Sequence, residues 1–239
     1  MCGRFTLTRT SLREVAEALE ADFSADDAAA YRPRFNVAPT DRAWLLVGDQ
    51  GPGRRAVVGA RWGFPQEYGP RQDDPVGLIN ARAETAADKP TFRRAFLHGR
   101  CAVITDGFYE WGGARGHRQP LWFHTPRREL LLLGGLWREH TDDDTGEVQR
   151  RFTVLTTEAN AVVSPAHARM PVILPPAAVS RWLTPAPSRR PDQERLVHEL
   201  RGLLRPADNA LLLATPVSSR VNNAKHDDPS LIEGERLLF

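Results

Sequence analysis

The sequence predicts an α+β fold, in which an antiparallel β-sheet curves into an open, barrel-like core and several helices lie on its flanks. The chain has 239 residues, of which 41% are hydrophobic and 26% charged, and this is enough apolar material for one globular core. Short apolar runs separated by turn-rich spacers dominate the second half, as is typical of antiparallel sheets. Amphipathic helical segments precede and follow these runs. We therefore expect residues 1–239 to fold as a single domain.

The N-terminal part of the chain predicts a strand followed by a helix. Residues 3–8 have the character of a strand, and residues 11–23 have the apolar spacing of a helix with one face in the core. That face carries four apolar residues, Leu12, Val15, Ala16 and Leu19. Ser11 and Glu14 are spaced as a capping box, which is typical of a helix N-terminus.

The other elements follow from apolar runs and from the polar segments that interrupt them. Two strands are predicted at residues 43–47 and 56–62, with a turn at 49–53, and residues 65–77 are predicted to form a long surface loop. Five further strands are predicted at 101–105, 108–111, 121–125, 130–136 and 152–156. We expect these five strands to form a meander, with a turn at 142–146 before the last of them. Two helices are predicted at 177–183 and 192–204.

Basic and acidic residues nearly balance, because 32 Lys and Arg face 30 Asp and Glu and leave a formal net charge of +2. Every basic residue except Lys89 and Lys225 is arginine. The planar guanidinium group suits phosphate and carboxylate, so an anionic partner is one explanation for this bias. A genome rich in arginine codons would give the same count, and the composition leaves both explanations open.

Cys2 and Cys101 are the only cysteines, which excludes a disulfide framework and a cysteine-rich zinc site. Cys101 opens an apolar strand, and we expect it to be a buried core thiol. The N-terminus lacks the apolar region of a secretory signal, and no stretch approaches the ~20 apolar residues of a membrane span. We expect a cytoplasmic protein that, in a bacterium, is close to the nucleoid and needs no metal or cofactor.

Cys2 directly follows the initiator Met1, and removal of Met1 would leave a thiol and a primary amine on the same residue. Such an aminothiol condenses with an aldehyde: the amine forms an imine, and the thiol then closes a five-membered thiazolidine ring. An α-amine titrates near pKa ~7.7–8.0 and a thiol near ~8.5, so we expect modest help from the fold to make both nucleophilic. The alternative is that a cysteine at this position is incidental.

Polar residues stand inside otherwise apolar, strand-like segments at four places, where a polar group is costly unless it has a partner. These segments are residues 2–4, 78–85, 106–111 and 164–171. Together and in this order, they resemble the SOS response associated peptidase (SRAP) family, which senses abasic sites in single-stranded DNA. The resemblance extends to residues 34–39, Trp62-Gly63 and residues 216–218, and residues 221–228 are similar to the family's terminal Asn-Lys-Asn element.

The resemblance implies four catalytic residues. Cys2 would be the nucleophile that forms a thiazolidine with C1′ of a ring-opened abasic deoxyribose. Asn80 would orient the amine of Cys2, and Glu110 would promote opening of the sugar ring and shuttle protons. Aromatic neighbours would raise the pKa of Glu110 toward neutrality, which suits that task. His167 would protonate the hydroxyl that leaves the carbinolamine, assist the Schiff base step and support reversal of the linkage.

The resemblance also implies contacts with single-stranded DNA that contains abasic sites. The phosphate contacts fall on three arginines, Arg4, Arg82 and Arg169. Thr156 matches a family backbone contact, and the protein is expected to be a monomer. Three aromatic residues near the long loop are candidates for stacking on flanking bases, namely Trp62, Phe64 and Tyr68, although core packing is the preferred interpretation for Trp62.

Two alternatives from other functional classes stay open. In the first, processed Cys2 attacks a peptide carbonyl, and the protein is a cysteine peptidase or amidase. In the second, the protein binds single strands without catalysis, and Cys2 is incidental. The family resemblance favours cross-linking with an associated autopeptidase and abasic-site lyase activity. Fixed arginines also favour DNA, because peptide hydrolysis needs an oxyanion hole more than it needs fixed cations.

Overall fold

The structure, a computed structural model, describes residues 2–48, 54–66, 74, 76–114, 117–141 and 146–235. Met1, Tyr68 and the turn expected at 49–53 lie outside the described residues. Most of the predicted turn at 142–146 and part of the predicted loop at 65–77 lie outside them as well. The described residues contain thirteen strands and six α-helices, and their bounds are as follows.

The strands are β1 (Phe5–Leu7), β2 (Asp22–Phe23), β3 (Arg34–Val37), β4 (Arg42–Gly48), β5 (Arg55–Trp62), β6 (Asn80–Arg82), β7 (Arg100–Thr105), β8 (Gly107–Gly112), β9 (Gln119–His124), β10 (Leu131–Thr141), β11 (Val148–Glu158), β12 (Arg169–Pro171) and β13 (Leu213–Pro216). The helices are α1 (Leu12–Ala18), α2 (Ala25–Ala30), α3 (Ala83–Ala86), α4 (Pro90–His98), α5 (Pro176–Leu183) and α6 (Arg190–Arg201).

Five of the strands close into a barrel in the order β5-β4-β7-β10-β11. Four of the pairings around the ring are antiparallel. The fifth, between β5 and β11, is parallel and consists of the pairs Arg61–Arg151 and Trp62–Phe152. Strands β2, β6 and β12 extend the same sheet. The predicted α+β class with an antiparallel, barrel-like core is confirmed, and the barrel is closed rather than open.

A second sheet of five strands, in the order β13-β9-β8-β1-β3, carries the N-terminus of the chain. Its strands are paired in antiparallel fashion. The predicted meander is wrong in one respect, because β7 pairs with β4 and β10, whereas the hairpin β8-β9 leaves the barrel and joins β1. Apolar runs indicate where strands lie, but packing between segments that are distant in sequence determines which strands pair with each other.

The first predicted helix is shorter than expected. Ser11 caps α1 by accepting a hydrogen bond from the backbone N–H of Glu14 at 3.2 Å, as predicted. The helix ends at Ala18, because the chain then takes a left-handed conformation at Glu20, with φ of 50°. The predicted helices at 177–183 and 192–204 correspond to α5 and α6, and α6 begins and ends two to three residues earlier.

Apolar side chains on the two faces of the barrel strands enter two different parts of the core. On β4, Leu46 packs in the cluster beneath the helices, whereas Leu45 packs in the cluster that faces β1 and β8. Trp62 and Cys101 are fully buried in the second cluster, as predicted. Phe64 is only 1% exposed and packs on Phe92, so the expectation that it stacks on DNA bases is wrong.

Candidate active site

The second sheet places Cys2 beside Glu110. Strand β1 pairs with β8 through Phe5–Phe108 and Thr6–Gly107, and the N–H of Tyr109 donates to the carbonyl of Arg4 at 2.9 Å. This antiparallel register brings Gly3, which directly follows Cys2, level with Glu110, and the charge of Glu110 acts on the thiol of Cys2. The cysteine at the start of β1 therefore lies next to the carboxyl group on β8.

Asp106, at the turn between β7 and β8, fixes this arrangement. Its buried carboxylate accepts hydrogen bonds from the hydroxyls of Thr6 and Thr8, at 2.5 and 2.6 Å, and from the N–H of Thr8 at 2.7 Å. A carboxylate with several donors is satisfied in the core and holds them firmly. Asp106 therefore fastens the end of β1 that lies away from Cys2, and the register of β1 with β8 is set at both ends.

Asn80 approaches Cys2 from the barrel side. Strand β6 runs parallel to β11, with Asn80 opposite Val154, and the side-chain Nδ2 of Asn80 donates to the carbonyl of Cys2 at 2.9 Å. The Oδ1 of the same amide is buried and has no hydrogen-bond partner among the residues that the structure describes. The structure thus places Asn80 against Cys2, with the backbone carbonyl rather than the nitrogen as its partner in the described contacts.

The carboxyl of Glu110 is buried, with only 3% of the residue exposed. Burial raises the pKa of Glu110 above its ordinary value, and the positive charge of His167 acts in the opposite direction. The expected direction of this pKa shift is therefore found. This electrostatic interaction also shows that the side chain of His167 lies close to the carboxyl of Glu110.

The thiol of Cys2 differs from the expectation. Burial, and then the negative charge of Glu110, raise its pKa well above the ordinary value. Its Sγ lies 3.8 Å from the carbonyl oxygen of Arg4. With the chain in this form, the thiol is protonated at neutral pH, and the fold does not activate it as a thiolate.

His167 ends a tight turn that Asn160 organises. The side-chain Oδ1 of Asn160 accepts from the N–H of Val163 at 3.0 Å, and the N–H of His167 donates to the carbonyl of Val163 at 3.1 Å. The N–H of Arg169 donates to Nδ1 of His167 at 2.9 Å. The same Nδ1 lies 3.1 Å from the carbonyl oxygen of Arg169, so the backbone of Arg169 holds this edge of the ring in place.

Arg4 contacts the C-terminal part of the chain. Its guanidinium donates to Oδ1 of Asn36 at 3.0 Å and to the carbonyls of Val221 and Asn222 at 2.8 and 3.3 Å. Burial lowers the pKa of Arg4 from its ordinary value. Asn222 in turn accepts from the indole N–H of Trp111 at 2.6 Å. Arg4 therefore lies beside the candidate site, with most of its donors already used inside the protein.

Arg169 and Thr156 are hydrogen-bonded to each other, and Arg82 lies on the strand next to Thr156. The guanidinium of Arg169 donates to both oxygens of Glu84, at 2.7 and 2.8 Å, and to the carbonyl of Thr156. Thr156 is fully buried, and its hydroxyl oxygen also lies 3.5 Å from the guanidinium of Arg169. Arg82 is opposite Thr156 in the parallel pairing of β6 with β11, and its side chain is exposed.

Three residues that shape this region are not among the site residues predicted from the sequence. Asn36 and Glu84 lie in segments that carry the family resemblance, so their polar character inside apolar surroundings was a usable signal. Trp111 stands beside Glu110, but its bond to Asn222 joins residues 111 positions apart in the chain. No local pattern predicts a contact of that range.

Within the described residues, no three His, Cys, Asp or Glu side chains are grouped as ligands for a metal ion. None of the helices in this part of the chain has the length and apolar content of a membrane span.

A cysteine, an amide and a buried carboxyl thus lie together on an α+β barrel, with an imidazole close to the carboxyl, and these are the kinds of group that nucleophilic chemistry with acid–base assistance uses. The chain belongs to the SOS response associated peptidase (SRAP) family, whose profile matches residues 1–224.

Individual relatives agree with this assignment. The chain is 33% identical over 236 residues to the abasic site processing protein YoqW of Bacillus subtilis, covering 98% of this chain and 99% of the relative. It is 29% identical to the abasic site processing protein HMCES of Gallus gallus, over 84% of this chain and 66% of the relative. A crystal structure of a Bacteroides thetaiotaomicron protein matches with a TM-score of 0.82 at 21% identity, covering 98% of this chain and 100% of that one, and so supports the fold.

Proposed function

We propose that this protein recognises abasic sites in single-stranded DNA and, after removal of Met1, forms a covalent thiazolidine cross-link through Cys2. The observation that carries the proposal is that Asn80 and Glu110 both lie beside Cys2, the residue that would become the N-terminus, and that His167 lies close to Glu110. The names of the relatives support the abasic-site part, since YoqW and HMCES are both called abasic site processing proteins.

The proposed reaction begins with opening of the abasic sugar, which exposes the aldehyde at C1′. The amine of Cys2 attacks C1′ and gives a carbinolamine, whose hydroxyl leaves as water to form an imine. The sulfur then adds to the imine carbon, the C=N electrons return to nitrogen, and the thiol proton follows them. The net change is the loss of one water molecule, with no oxidation or reduction. Because sulfur attacks last, the raised pKa of the buried thiol is compatible with this order.

Glu110 and His167 fit two different proton transfers in this sequence. A carboxyl with a raised pKa keeps its proton more readily than an ordinary glutamate, so Glu110 can protonate the ring oxygen as the sugar opens. His167 lies close to Glu110, and an imidazole is a group that can deliver a proton to the departing hydroxyl. The buried Oδ1 of Asn80 offers an acceptor for the new N-terminal amine once Met1 is gone.

Recognition would rest on phosphates rather than on bases, which suits a sensor of missing bases. Arg82 is exposed and available to a backbone phosphate, and Arg4 and Arg169 flank the site. Removal of Met1, either by the protein itself or by an aminopeptidase, and strand cleavage from the imine belong to the same proposal. The cytoplasmic location and the monomeric state stay predictions.

A denaturing gel tests the proposal. The mature protein is incubated with an oligonucleotide that carries one abasic site, and we expect a shifted, heat-stable band that contains protein and DNA. Cys2→Ala should give no such band, and neither should an intact oligonucleotide. Mass spectrometry of the adduct should give the sum of the two masses minus one water.

The alternatives predict different results. If Cys2→Ala still forms the adduct, the proposed nucleophile is wrong. If the mature protein binds the oligonucleotide without any adduct, the protein is a binding module. If it instead cleaves peptide substrates and does not react with the abasic site, the peptidase interpretation is correct.

A further inference from the structure

Arg169 holds a bidentate partner within the protein. Its two terminal nitrogens lie 2.7 and 2.8 Å from the two carboxylate oxygens of Glu84, and one of them also donates to the carbonyl of Thr156. The hydrogen bonds from Arg169 lower the pKa of Glu84, so the carboxylate is charged at neutral pH. This planar, two-point contact is the geometry with which arginine also binds phosphate.

The two partners differ in how firmly they are held. The side chain of Arg169 is 18% exposed and is anchored by the carbonyl of Thr156. The side chain of Glu84 is 47% exposed and stands in the first turn of the short helix α3. The carboxylate can therefore turn into solvent while the guanidinium stays in place.

Glu84 also follows closely on the residues that would meet DNA. Asn80 and Arg82 lie on β6, and Glu84 comes two residues after Arg82. Arg82 contributes to lowering the pKa of Glu84, so the carboxylate is in the field of both arginines. A phosphate placed between Arg82 and Arg169 would meet the negative charge of Glu84 at close range.

We propose that Glu84 is an intramolecular substitute for a DNA phosphate, which occupies the fork of Arg169 in the free protein and is displaced when single-stranded DNA binds. The inference rests on the proposed function and adds a residue that tunes affinity. Exchange of one anion for another on the same arginine gains little free energy, and the released carboxylate then repels the strand. Glu84 therefore weakens binding to DNA that offers only phosphates, and leaves the covalent reaction at an abasic site to retain the strand.

Noncovalent binding of an intact single-stranded oligonucleotide tests this inference, because no adduct can form. Fluorescence anisotropy should show that Glu84→Gln binds about three to ten times more tightly than the wild type, at pH 7 and moderate salt. Glu84→Ala should show a gain in the same direction, which guards against a specific effect of the amide. Thermal unfolding of each variant checks that it folds.

Glu158→Gln is the matched control. Glu158 is exposed and lies opposite Arg169 in the pairing of β11 with β12, and none of its side-chain contacts in the described structure involves that arginine. The substitution Glu158→Gln removes the same charge from the same surface, and we expect it to raise the affinity for the oligonucleotide only slightly. In an Arg169→Ala background, the gain from Glu84→Gln should disappear, because the two residues act as one unit.

The possible results distinguish a failure of this inference from a failure of the proposed function. If the wild type binds DNA and Glu84→Gln binds no better than Glu158→Gln, or binds more weakly, Glu84 is only a structural brace and the inference is wrong. An increase in DNA affinity from Glu84→Gln that persists in the Arg169→Ala background also overturns the inference. If the wild type binds neither intact nor abasic oligonucleotides, the proposed function itself fails.

Discussion

Glu110 occupies a position where a carboxyl group costs stability. It is almost fully buried, and burial raises its pKa because the charged form loses its hydration. A group whose pKa is higher in the folded state contributes stability at low pH that is lost as the pH rises through the shifted value. At neutral pH, the carboxyl therefore weakens the fold at the place where the proposed chemistry needs an acid.

Replacing Glu110 by Gln should separate these two effects. We expect Glu110→Gln to melt at a higher temperature than the wild type at pH 7, and at a similar temperature below about pH 4, where glutamate is protonated in both states. Adduct formation should slow by about 10²-fold or more, since a positioned acid is lost. The wild-type rate should fall as the pH rises past the pKa of Glu110, and the variant should lack this limb.

Paired melting curves and gel time courses across pH would check this prediction. Glu158→Gln serves as the control for removing a carboxylate from the exposed surface, and it should change neither the rate nor its pH profile. A Glu110→Gln variant that melts lower at pH 7 and reacts at the wild-type rate would contradict the assignment of Glu110 as the acid.

At the scale of elements, the C-terminal segment is bound to β3 by two reciprocal sets of hydrogen bonds. The side-chain Nδ2 of Asn36 donates to the carbonyls of Val221, Asn223 and His226, at 2.9 to 3.2 Å. The carboxylate of Asp227 accepts from the N–H groups of Phe35 and Asn36, at 2.6 and 2.9 Å, and from the guanidinium of Arg34. Since β3 is the edge strand of its sheet, these bonds occupy an edge that would otherwise be open.

Asp227→Asn should loosen this attachment. The amide cannot accept at both of its ends, so either the two backbone N–H groups or the guanidinium of Arg34 faces another donor. We expect a loss of about 1.5–3 kcal/mol in the free energy of unfolding, measured with urea. Hydrogen exchange should become faster at residues 34–37 and 221–228, and Arg4 should lose the firm carbonyl partners that hold it beside Cys2.

The neighbouring aspartate gives a control for this variant. Asp228 is paired with Arg220 and with Ser230 at the exposed end of the segment, and asparagine keeps its capping role. Asp228→Asn should leave exchange at 34–37 unchanged. Equal effects of the two substitutions would mean that the attachment is not specific to Asp227.

Local sequence patterns predicted many elements but few of their partners. The spacing of apolar residues in α5 and α6 and the apolar runs of β4 and β7 gave correct elements, because their burial follows a short period. Helices α2 and α4 were missed, since alanines, aspartates and arginines hide the apolar face of each. The ring closure of β5 with β11 rests on two residue pairs about 90 positions apart, which no local period can predict.

The candidate site was partly predictable for a related reason. Cys2, Asn80, Glu110 and His167 were identified through their motifs, and the structure brings them together. The arginines were identified as cations, but their intramolecular partners were not. Glu84 and Asn36 satisfy Arg169 and Arg4 from other elements, so the sequence alone could not tell a free arginine from an occupied one.

For the molecule as a whole, Trp62 connects the candidate site with the seam of the barrel, where β5 pairs with β11. Its ring lies 4.9 Å from Phe5 on β1 and is stacked at 6.2 Å on Phe152 across the seam. Its indole N–H donates to the carbonyl of Ile79 at 2.9 Å, one residue before Asn80. One buried side chain thus holds both the strand that begins beside Cys2 and the strand that carries Asn80.

Trp62→Phe should therefore affect both stability and reactivity. The substitution keeps an aromatic ring but removes the bond to Ile79 and leaves a small cavity, and we expect a loss of about 1–3 kcal/mol in unfolding free energy. Because Asn80 and Cys2 lose a common support, adduct formation should slow by about tenfold or more. Urea denaturation and single-turnover gel assays measure the two effects.

Trp182→Phe provides the comparison that makes this test specific. Trp182 is as fully buried, and its indole N–H donates to the carbonyl of Cys101 at 2.7 Å, but it lies on α5 and packs against Phe96 in the cluster beneath the helices. Its loss should destabilise the protein by a similar amount without slowing the adduct, since neither β1 nor β6 rests on it. If both variants react at equal rates, stability alone governs the reaction, and barrel closure does not position the site.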